Sequence, residues 1–420
     1  MFPSRIASGA LALALIAASP AFGATDAELA DIRNEIRNLK ATYEARIEAL
    51  ERRLREAESR AAAPAPRAPT AQLPAAAPAP VAASSASAFN PAISAILNGT
   101  YAHLKRDPAG FSIPGFSPEG EIGPGRRGFS LGESELVFSA NVDPYFSGKL
   151  VLAVTPEDEI EVEEAFGEYL GAPFGIATKF GRFLSGIGYH NDQHAHAWDF
   201  VDAPLPYQAF LGNRFSNDGL QLRWVAPMDH FLELGVEAGN GDAFPGSERN
   251  RNAPGARAAF ARTGGDIGTS HSWRAGLSYL RTEAEGEEGV ALPSKLGIAD
   301  FVWKYAPQGS GREGSFKLQG EYFSGRIREA ARQEGWYLQG VYQFLPAWRV
   351  GLRHERLDPR GVDEVTNAPR KSSVMVDYNP SEFSRIRLQF SRSELQPDLS
   401  DNQWFLQYIL SLGAHGSHKY

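Results

Sequence analysis

The chain of 420 residues has no cysteine and lacks a long apolar run in its main part. The absence of cysteine excludes disulfide bonds, thiol catalysis and cysteine-ligated metal centres. After the N-terminus, no segment approaches the roughly 18 apolar residues that a membrane helix needs. If the mature protein lies in a membrane, it must therefore cross it with β-strands.

Basic residues are fewer than acidic ones, with 42 Lys and Arg against 50 Asp and Glu and a net charge of -8. An acidic balance of this size disfavours nucleic acid as a partner. The sequence also contains no His-Glu-x-x-His pair, which is a signature of metalloproteases. We therefore expect neither enzyme activity nor a cofactor.

The N-terminus carries an export signal. Arg5 precedes the apolar run 10–18, and the small residues Ala21, Gly23 and Ala24 offer a cleavage site. A basic start, a short apolar core and a small-residue site are typical of a secretory signal peptide. Residues 1–23 are predicted to be this peptide.

Residues 24–60 are predicted to form a periplasmic coiled coil. Their apolar positions begin with the 3-4-3-4 spacing of a heptad seam at Leu29, Ile32, Ile36, Leu39 and Tyr43. The seam then shifts to Ile47, Leu50 and Leu54 through two successive spacings of four, which indicates local unwinding. A single amphipathic helix is the alternative interpretation. The Ala/Pro-rich residues 61–88 are predicted to be an extended linker.

From residue 89 to residue 420 the sequence alternates between apolar and polar residues in segments of about ten. Such alternation is typical of strands that are apolar on one face. The residues predicted to face outward are Leu136, Phe138, Ala140, Leu220, Leu222, Trp224, Trp273, Ala275, Leu277, Tyr279, Trp336, Leu338, Gly340, Tyr342, Phe344, Ile386, Leu388 and Phe390.

Turn signals divide this region into strands. Seven tight connections are readable, at 141–144, 171–174, 227–229, 265–268, 308–311, 345–347 and 379–381. Membrane barrels have short periplasmic turns and longer outer loops, so seven inner turns imply sixteen strands. The predicted fold class is all-β, a transmembrane antiparallel barrel of about 16 strands. The segment 256–263 has a poor pattern, but strand parity requires a strand there.

The last predicted strand begins near Gln403 and alternates through Trp404 and Leu412. Tyr420 falls in the same phase, but residues 414–418 are poor in bulky apolar side chains. The last strand is therefore expected to end either near Gly413 or at the C-terminus.

The layout of residues 89–420 resembles the phosphate-selective porin family. The most local similarity is the segment 179–183, Lys-Phe-Gly-Arg-Phe, at a strand end that precedes a long loop. The resemblance implies a sixteen-stranded homotrimer in which the loop after the fifth strand, 176–183, folds inward. Residues 184–218 are then the expected constriction. The chain also looks like proteins labelled zinc-regulated TonB-dependent outer-membrane receptors, but it lacks a plug domain.

This loop is rich in histidine and aspartate. His190, His194 and His196 are candidate ligands for Zn²⁺, because imidazole nitrogen is one of its preferred donors. Three aspartates, Asp192, Asp199 and Asp202, are candidate constriction residues. The alternative is that all these side chains hydrogen-bond the loop to the barrel wall.

The residues between the outward-facing ones are candidates for the pore lining. They are Glu133, Glu135, Arg223, Glu233, Glu237, Arg274, Lys317, Glu321, Arg349, Arg353, Arg385 and Arg387. Four of these arginines lie between 349 and 387, and they are predicted to form a basic ladder that attracts anions or, opposite an acidic loop, sets up a transverse field. The alternative is a wet lumen whose charges give little selectivity.

The working hypothesis is a porin-type channel in the outer membrane of a Gram-negative bacterium, through which small hydrophilic solutes or ions diffuse passively. The outer face of the barrel is expected to contact outer-membrane lipid. The first alternative is a selective zinc-uptake channel that uses the His/Asp-rich loop. The second is a structural tether that contacts the cell wall through the coiled coil.

Overall fold

The computed structural model describes residues 91–413, except 121, 156–158, 249–250, 287–289, 312–313, 329, 361–367 and 397–398. The predicted signal peptide, coiled coil and linker lie outside the described residues, as do residues 414–420. Among the residues that are described, no helix is both long and apolar enough to cross a membrane.

The described chain is almost entirely β-structure. Its strands are β1 (Ala92–Leu104), β2 (Gly128–Leu131), β3 (Ser134–Asn141), β4 (Phe146–Val154), β5 (Ile160–Tyr169), β6 (Ile176–Leu184), β7 (Ser216–Val225), β8 (Phe231–Gly239), β9 (Ala256–Ile267), β10 (His271–Glu285), β11 (Ala291–Tyr305), β12 (Ser315–Arg326), β13 (Gln333–Leu345), β14 (Trp348–Asp358), β15 (Arg370–Ser381), β16 (Ser384–Gln396) and β17 (Leu399–Gly413). The helix α1 (Leu205–Leu211) lies between β6 and β7, and short 3-10 turns occupy Pro108–Gly110, Pro173–Gly175, Ala195–Ala197 and Pro307–Gly309.

The strands form one closed antiparallel barrel. From β3 onward each strand pairs with the next, and β17 pairs back onto β1, with Ala95 opposite Leu412. Both β2 and β3 pair with β1, at Gly99 opposite Leu131 and at Ile96 opposite Glu135, so they form one interrupted strand. The seventeen elements therefore make a barrel of sixteen strands, and the predicted number is confirmed.

Alternation separates the two faces of the wall. On β13, Leu338 and Tyr342 are 49% and 44% exposed, whereas the intervening Gln339 and Val341 are each 4% exposed. The apolar side chains point away from the barrel and the intervening ones point into it, because successive strand residues face opposite sides. The predicted outward and inward phases are confirmed on this strand.

Strand connections follow the predicted pattern. Each of the seven predicted tight connections lies at or next to a junction of consecutive strands, but residues 265–267 belong to β9 and residues 379–381 to β15, because the strands pair almost to their ends; the shortest connections are the two-residue turns 346–347 and 382–383. The weakly patterned segment 256–263 is part of β9, as parity required. The last strand begins at Leu399 rather than near Gln403, because its first residues already pair with β16. It extends to Gly413.

The first test concerns the outward face. Leu338 lies near the middle of β13, and the substitution Leu338→Arg would place a charge in the hydrocarbon layer. We expect it to lower the free energy of unfolding by about 2–4 kcal/mol in phospholipid bilayers. Urea unfolding of the protein folded into vesicles measures this loss.

The matched control is Phe383→Arg. Phe383 is 46% exposed but lies in the turn between β15 and β16, where an arginine reaches water, so the loss should stay below about 1 kcal/mol. Equal losses at the two positions would show that the outward face of β13 does not contact lipid.

Candidate functional site

The segment between β6 and β7, residues 185–215, lies inside the barrel. None of these residues is exposed. At its start, Glu237 of β8 accepts hydrogen bonds from the Ser185 hydroxyl at 2.6 Å and from the Gly186 backbone N–H at 2.8 Å. Further along, Gln389 of β16 accepts from the backbone N–H of Val201 at 2.8 Å. The loop therefore contacts strands on well-separated parts of the wall, which requires it to cross the interior.

Helix α1 packs into an apolar region of this interior. All seven of its residues are buried. Tyr207 and Phe210 pack against Phe323 of β12, with ring centroids 4.9 and 5.7 Å apart. Gly212 ends the helix in the left-handed conformation, with φ of 59°. Apolar wall residues that join this cluster are Leu280, Leu296, Ile298 and Leu357.

This apolar packing was not predicted, because the lumen was expected to be lined by polar side chains. Leu280 is 1% exposed, yet Leu277 on the same strand faces outward and is 66% exposed. The strand is thus apolar on both faces at one end. The apolar run 205–211 inside an otherwise polar loop was the available signal, since an isolated apolar helix turn needs an apolar surface to cover it.

Glu321 of β12 is a central anchor of the loop. Its carboxylate accepts hydrogen bonds from the backbone N–H groups of Tyr189 at 3.1 Å and His190 at 3.0 Å. The hydroxyl groups of Tyr207 and Tyr337 donate to the same carboxylate at 2.8 and 2.6 Å. Burial and the nearby Glu321 charge raise the pKa of the Tyr207 phenol well above its usual value, so this hydroxyl keeps the proton that it donates.

Asp202 binds the loop to the neighbouring strands β14 and β15. Its carboxylate pairs with Arg353 at 2.8 Å and with Lys371, and it accepts a hydrogen bond from Gln389 at 3.0 Å. Burial disfavours the ionised carboxyl, but the charges of Lys371 and Arg353 and the hydrogen bonds to this carboxylate together outweigh this effect and hold the pKa of Asp202 below its usual range.

Asp199 makes similar contacts three residues earlier in the loop. It pairs with Lys317 and, at 3.3 Å, with Arg349. Burial opposes ionisation here as well, but Lys317 and Arg349 lower the pKa of Asp199. Asp192 lies 3.6 Å from Arg262 of β9. All three predicted loop aspartates therefore face basic side chains of the wall.

The four arginines of the predicted basic ladder hold the loop. Arg387 pairs with Asp377 at 2.8 Å and donates to the backbone carbonyl of Trp198 at 2.9 Å. Arg385 donates to the carbonyls of His196 and Trp198 at 3.3 and 3.1 Å. Arg349 and Arg353 pair with the loop aspartates. The ladder is thus occupied by carboxylates and peptide carbonyls of this chain.

The other predicted pore-lining residues also make interior contacts. Arg223 lies 3.6 Å from Glu233, and Arg262 links Glu233 to the backbone carbonyl of Gly186. Arg274 stacks over the ring of Tyr189, 4.5 Å from its centroid. The remaining two, Glu133 and Glu135, contact loop residues 214 and 196.

Of the three predicted histidine ligands, the structure brings only two together. The rings of His194 and His196 stack 5.7 Å apart. Burial lowers the pKa of His194, but Glu163 and Glu135 outweigh it and raise this pKa well above its usual value.

His190 lies elsewhere in the loop. Its ring packs on Trp198 at 4.6 Å and on Tyr207 at 5.0 Å, and its Nε2 atom has no hydrogen-bond partner among the described residues. Burial and the charge of Arg353 hold the pKa of His190 well below its usual value. A neutral imidazole in an aromatic pocket is typical of packing within the loop.

A closed barrel of sixteen antiparallel strands, with the long loop after its fifth transmembrane strand inside it, defines the porin fold. The outer membrane channel DcaP of Acinetobacter baumannii is similar, with a TM-score of 0.52 and 13% identity over 76% of this chain and 96% of the other. So is an anion-selective porin from Comamonas acidovorans, with a TM-score of 0.52 and 10% identity over 77% and 99%. A trimer form of OmpT, an outer membrane protein of Vibrio cholerae, gives 0.50 and 11% over 78% and 100%.

At these identities the likeness shows the fold, and the predicted porin architecture is confirmed. No model of a known protein family matches the chain. The chain belongs to the same family as an uncharacterized protein of Aquifex aeolicus (strain VF5), with which it is 32% identical over 390 residues that cover 80% of this chain and 81% of the relative.

The second test concerns the Glu321 anchor. The substitution Glu321→Ala removes the acceptor of four buried donors, and each unpaired donor costs about 1–3 kcal/mol. We expect amide hydrogen exchange in residues 188–210 to become about 10–100-fold faster or more, while exchange in β13 to β17 stays unchanged. Exchange followed by mass spectrometry reports both regions.

Glu334→Ala serves as the control, because Glu334 pairs with the exposed Arg360 rather than with the loop. If the two variants gave the same exchange in the loop, Glu321 would not be an anchor.

Proposed function

We propose that this protein is an outer-membrane porin-type channel through which small hydrophilic solutes or ions diffuse passively. The observation that carries the proposal is the division of the barrel wall into an apolar outer face and a charged inner face. An apolar belt suits lipid contact, and a charged interior suits a water-filled path. The porin fold of the barrel and the predicted signal peptide support this location.

The loop predicted at 184–218, which spans residues 185–215 in the structure, is proposed to narrow the channel. Its support is the set of contacts that hold residues 185–215 against β8, β12, β14 and β16. A segment fixed on several sides of the wall leaves solutes only the space around it. The conductance of a single barrel should therefore be small for a sixteen-stranded channel.

We further propose that the channel has little selectivity for phosphate. The basic ladder was predicted to attract anions, which requires basic side chains with uncompensated charge. Here Arg349, Arg353 and Arg387 each pair with a carboxylate of the loop or of the wall. Balanced charge along the interior supports a general diffusion path.

A homotrimer in the outer membrane is the proposed assembly. The trimer form of the Vibrio cholerae protein with the same fold supports it. The exposed apolar residues of the outer face supply a surface that either lipid or neighbouring barrels can cover.

The third test uses planar-bilayer recording. We expect discrete conductance steps from the purified protein. The chain has no native cysteine, so Lys317→Cys supplies a unique thiol on the inner face beside the loop. A water-soluble methanethiosulfonate reagent should then reduce the current, because it adds bulk inside the path.

Leu338→Cys is the matched control, since its thiol faces outward and the reagent should leave the current unchanged. A protein that gives no conductance steps, or equal effects of the reagent at both positions, would contradict the channel proposal.

The fourth test concerns selectivity. The double substitution Asp199→Ala with Asp202→Ala leaves Lys317, Arg353 and Lys371 without their loop partners. We expect the reversal potential in a salt gradient to shift toward anion selectivity, because the charge of the path becomes positive. Conductance should also rise as the loop loosens.

Asp358→Ala is the control. It also removes a carboxylate, but from an exposed pair with Arg360, and should leave the reversal potential unchanged. An unchanged potential in the double variant would show that these aspartates lie away from the ion path.

A further inference from the structure

A cluster of one imidazole and two carboxylates lies where the loop meets β3 and β5. The Nδ1 atom of His194 lies 3.1 Å from Oε2 of Glu163 and 3.3 Å from Oε2 of Glu135. One donor atom from each of the three residues falls within 4.8 Å of the others. These residues come from three separate elements, so the tertiary structure alone creates the cluster.

Glu135 and Glu163 each direct one carboxylate oxygen, Oε2, towards the Nδ1 atom of His194. The other oxygen of Glu135, Oε1, lies 2.7 Å from Nδ1 of His196. The other oxygen of Glu163 accepts a hydrogen bond from Arg214. Glu135 is 3% exposed, and its Oε2 atom is buried and accepts no hydrogen bond within the described structure. A buried carboxylate oxygen without a hydrogen bond is costly unless a cation satisfies it.

The second ring nitrogen of His194, Nε2, also has polar partners. This atom lies 3.0 Å from Oε2 of Glu164 and 3.1 Å from Nζ of Lys149, which itself pairs with Glu164 at 2.7 Å. When Nε2–H donates to Glu164, the lone pair of Nδ1 points at the two carboxylates. Carboxylate partners of this kind commonly orient the histidine ligands of metal ions.

The local charge favours a divalent cation. With neutral imidazoles, four carboxylates and two basic groups leave two negative charges in this region, and they belong to Glu133, Glu135, Glu163, Glu164, Lys149 and Arg214. A bound divalent ion neutralises both charges. Protonation of His194 and His196 is the competing way to neutralise them.

We propose that His194, Glu135 and Glu163 bind a divalent transition-metal ion of the Zn²⁺ type inside the barrel. Zinc bound to nitrogen and carboxylate oxygen at about 2.0–2.2 Å in a tetrahedron separates its ligand atoms by about 3.3 Å. The observed separations of 3.1 and 3.3 Å from Nδ1 fit that geometry. A water molecule takes the fourth position.

This ligand set differs from the predicted one. It retains His194, places His196 behind Glu135 as a positioning residue, and replaces His190 by two glutamates of the wall. The bound ion would tie the loop to β3 and β5, on the side opposite the aspartate anchors. The proposal does not depend on whether the barrel conducts ions.

The experiment measures metal binding to the full, untagged protein folded in detergent after treatment with a chelator. Isothermal titration with zinc chloride should give one high-affinity site per chain, and magnesium chloride should give none, because Mg²⁺ prefers all-oxygen sites. Cobalt(II) chloride should produce the visible absorption of a tetrahedral site. A protein that binds no zinc would overturn the proposal.

Three variants locate the ion. His194→Ala should abolish both zinc binding and the cobalt absorption. Glu164→Gln changes only the partner of the ligand and should weaken zinc binding about 10–100-fold. His354→Gln is the control, because His354 is exposed on β14 beside Ser372 and should leave binding unchanged.

Folding of each variant is checked by circular dichroism and by heat-modifiable gel mobility. If His194→Ala fails to fold, the isosteric Glu135→Gln tests the same site and should weaken zinc binding at least tenfold. Zinc binding that persists unchanged in the folded ligand variant would overturn the assignment.

Discussion

The hydrogen-bonded pairing of β17 with β1 is the interaction on which the rest of this structure depends. A sheet inside lipid cannot leave a row of peptide groups unpaired, because no water is present to satisfy them. Pairing from Ser94 opposite Gly413 to Leu104 opposite Gln403 removes both edges. Closure then gives the sheet an outer face and a confined inner face, and successive residues of each strand alternate between them.

The confined interior sets the second constraint, because the loop inside it cannot use strand partners for its peptide groups. Buried N–H and C=O groups must nevertheless be paired. Interior side chains perform this role: Glu237, Glu321 and Glu355 accept from loop N–H groups, and Arg385 and Arg387 donate to loop carbonyls. The charged residues of the wall are thus largely the loop's hydrogen-bonding surface.

This arrangement explains why the predicted interior residues have a different role from the one their charge suggested. The arginines of β14 and β16 were predicted to be accessible to a solute, because alternation shows only which face of the sheet a residue occupies. Arg353 instead pairs with Asp202, and Arg387 contacts Trp198. Both loop partners lie more than a hundred residues away in sequence, so no local pattern could reveal the pairing.

The sequence by itself determined the strands and their number. Alternation with period two and the tight turns are local properties, so β9 was located by parity and the predicted turns marked the junctions of consecutive strands to within a few residues. The tertiary structure alone decided what the loop residues contact. It separated His190 from His194 and set His194 against Glu135 and Glu163, because β3 and β5 flank β4 on the part of the wall that the loop contacts from inside the closed barrel.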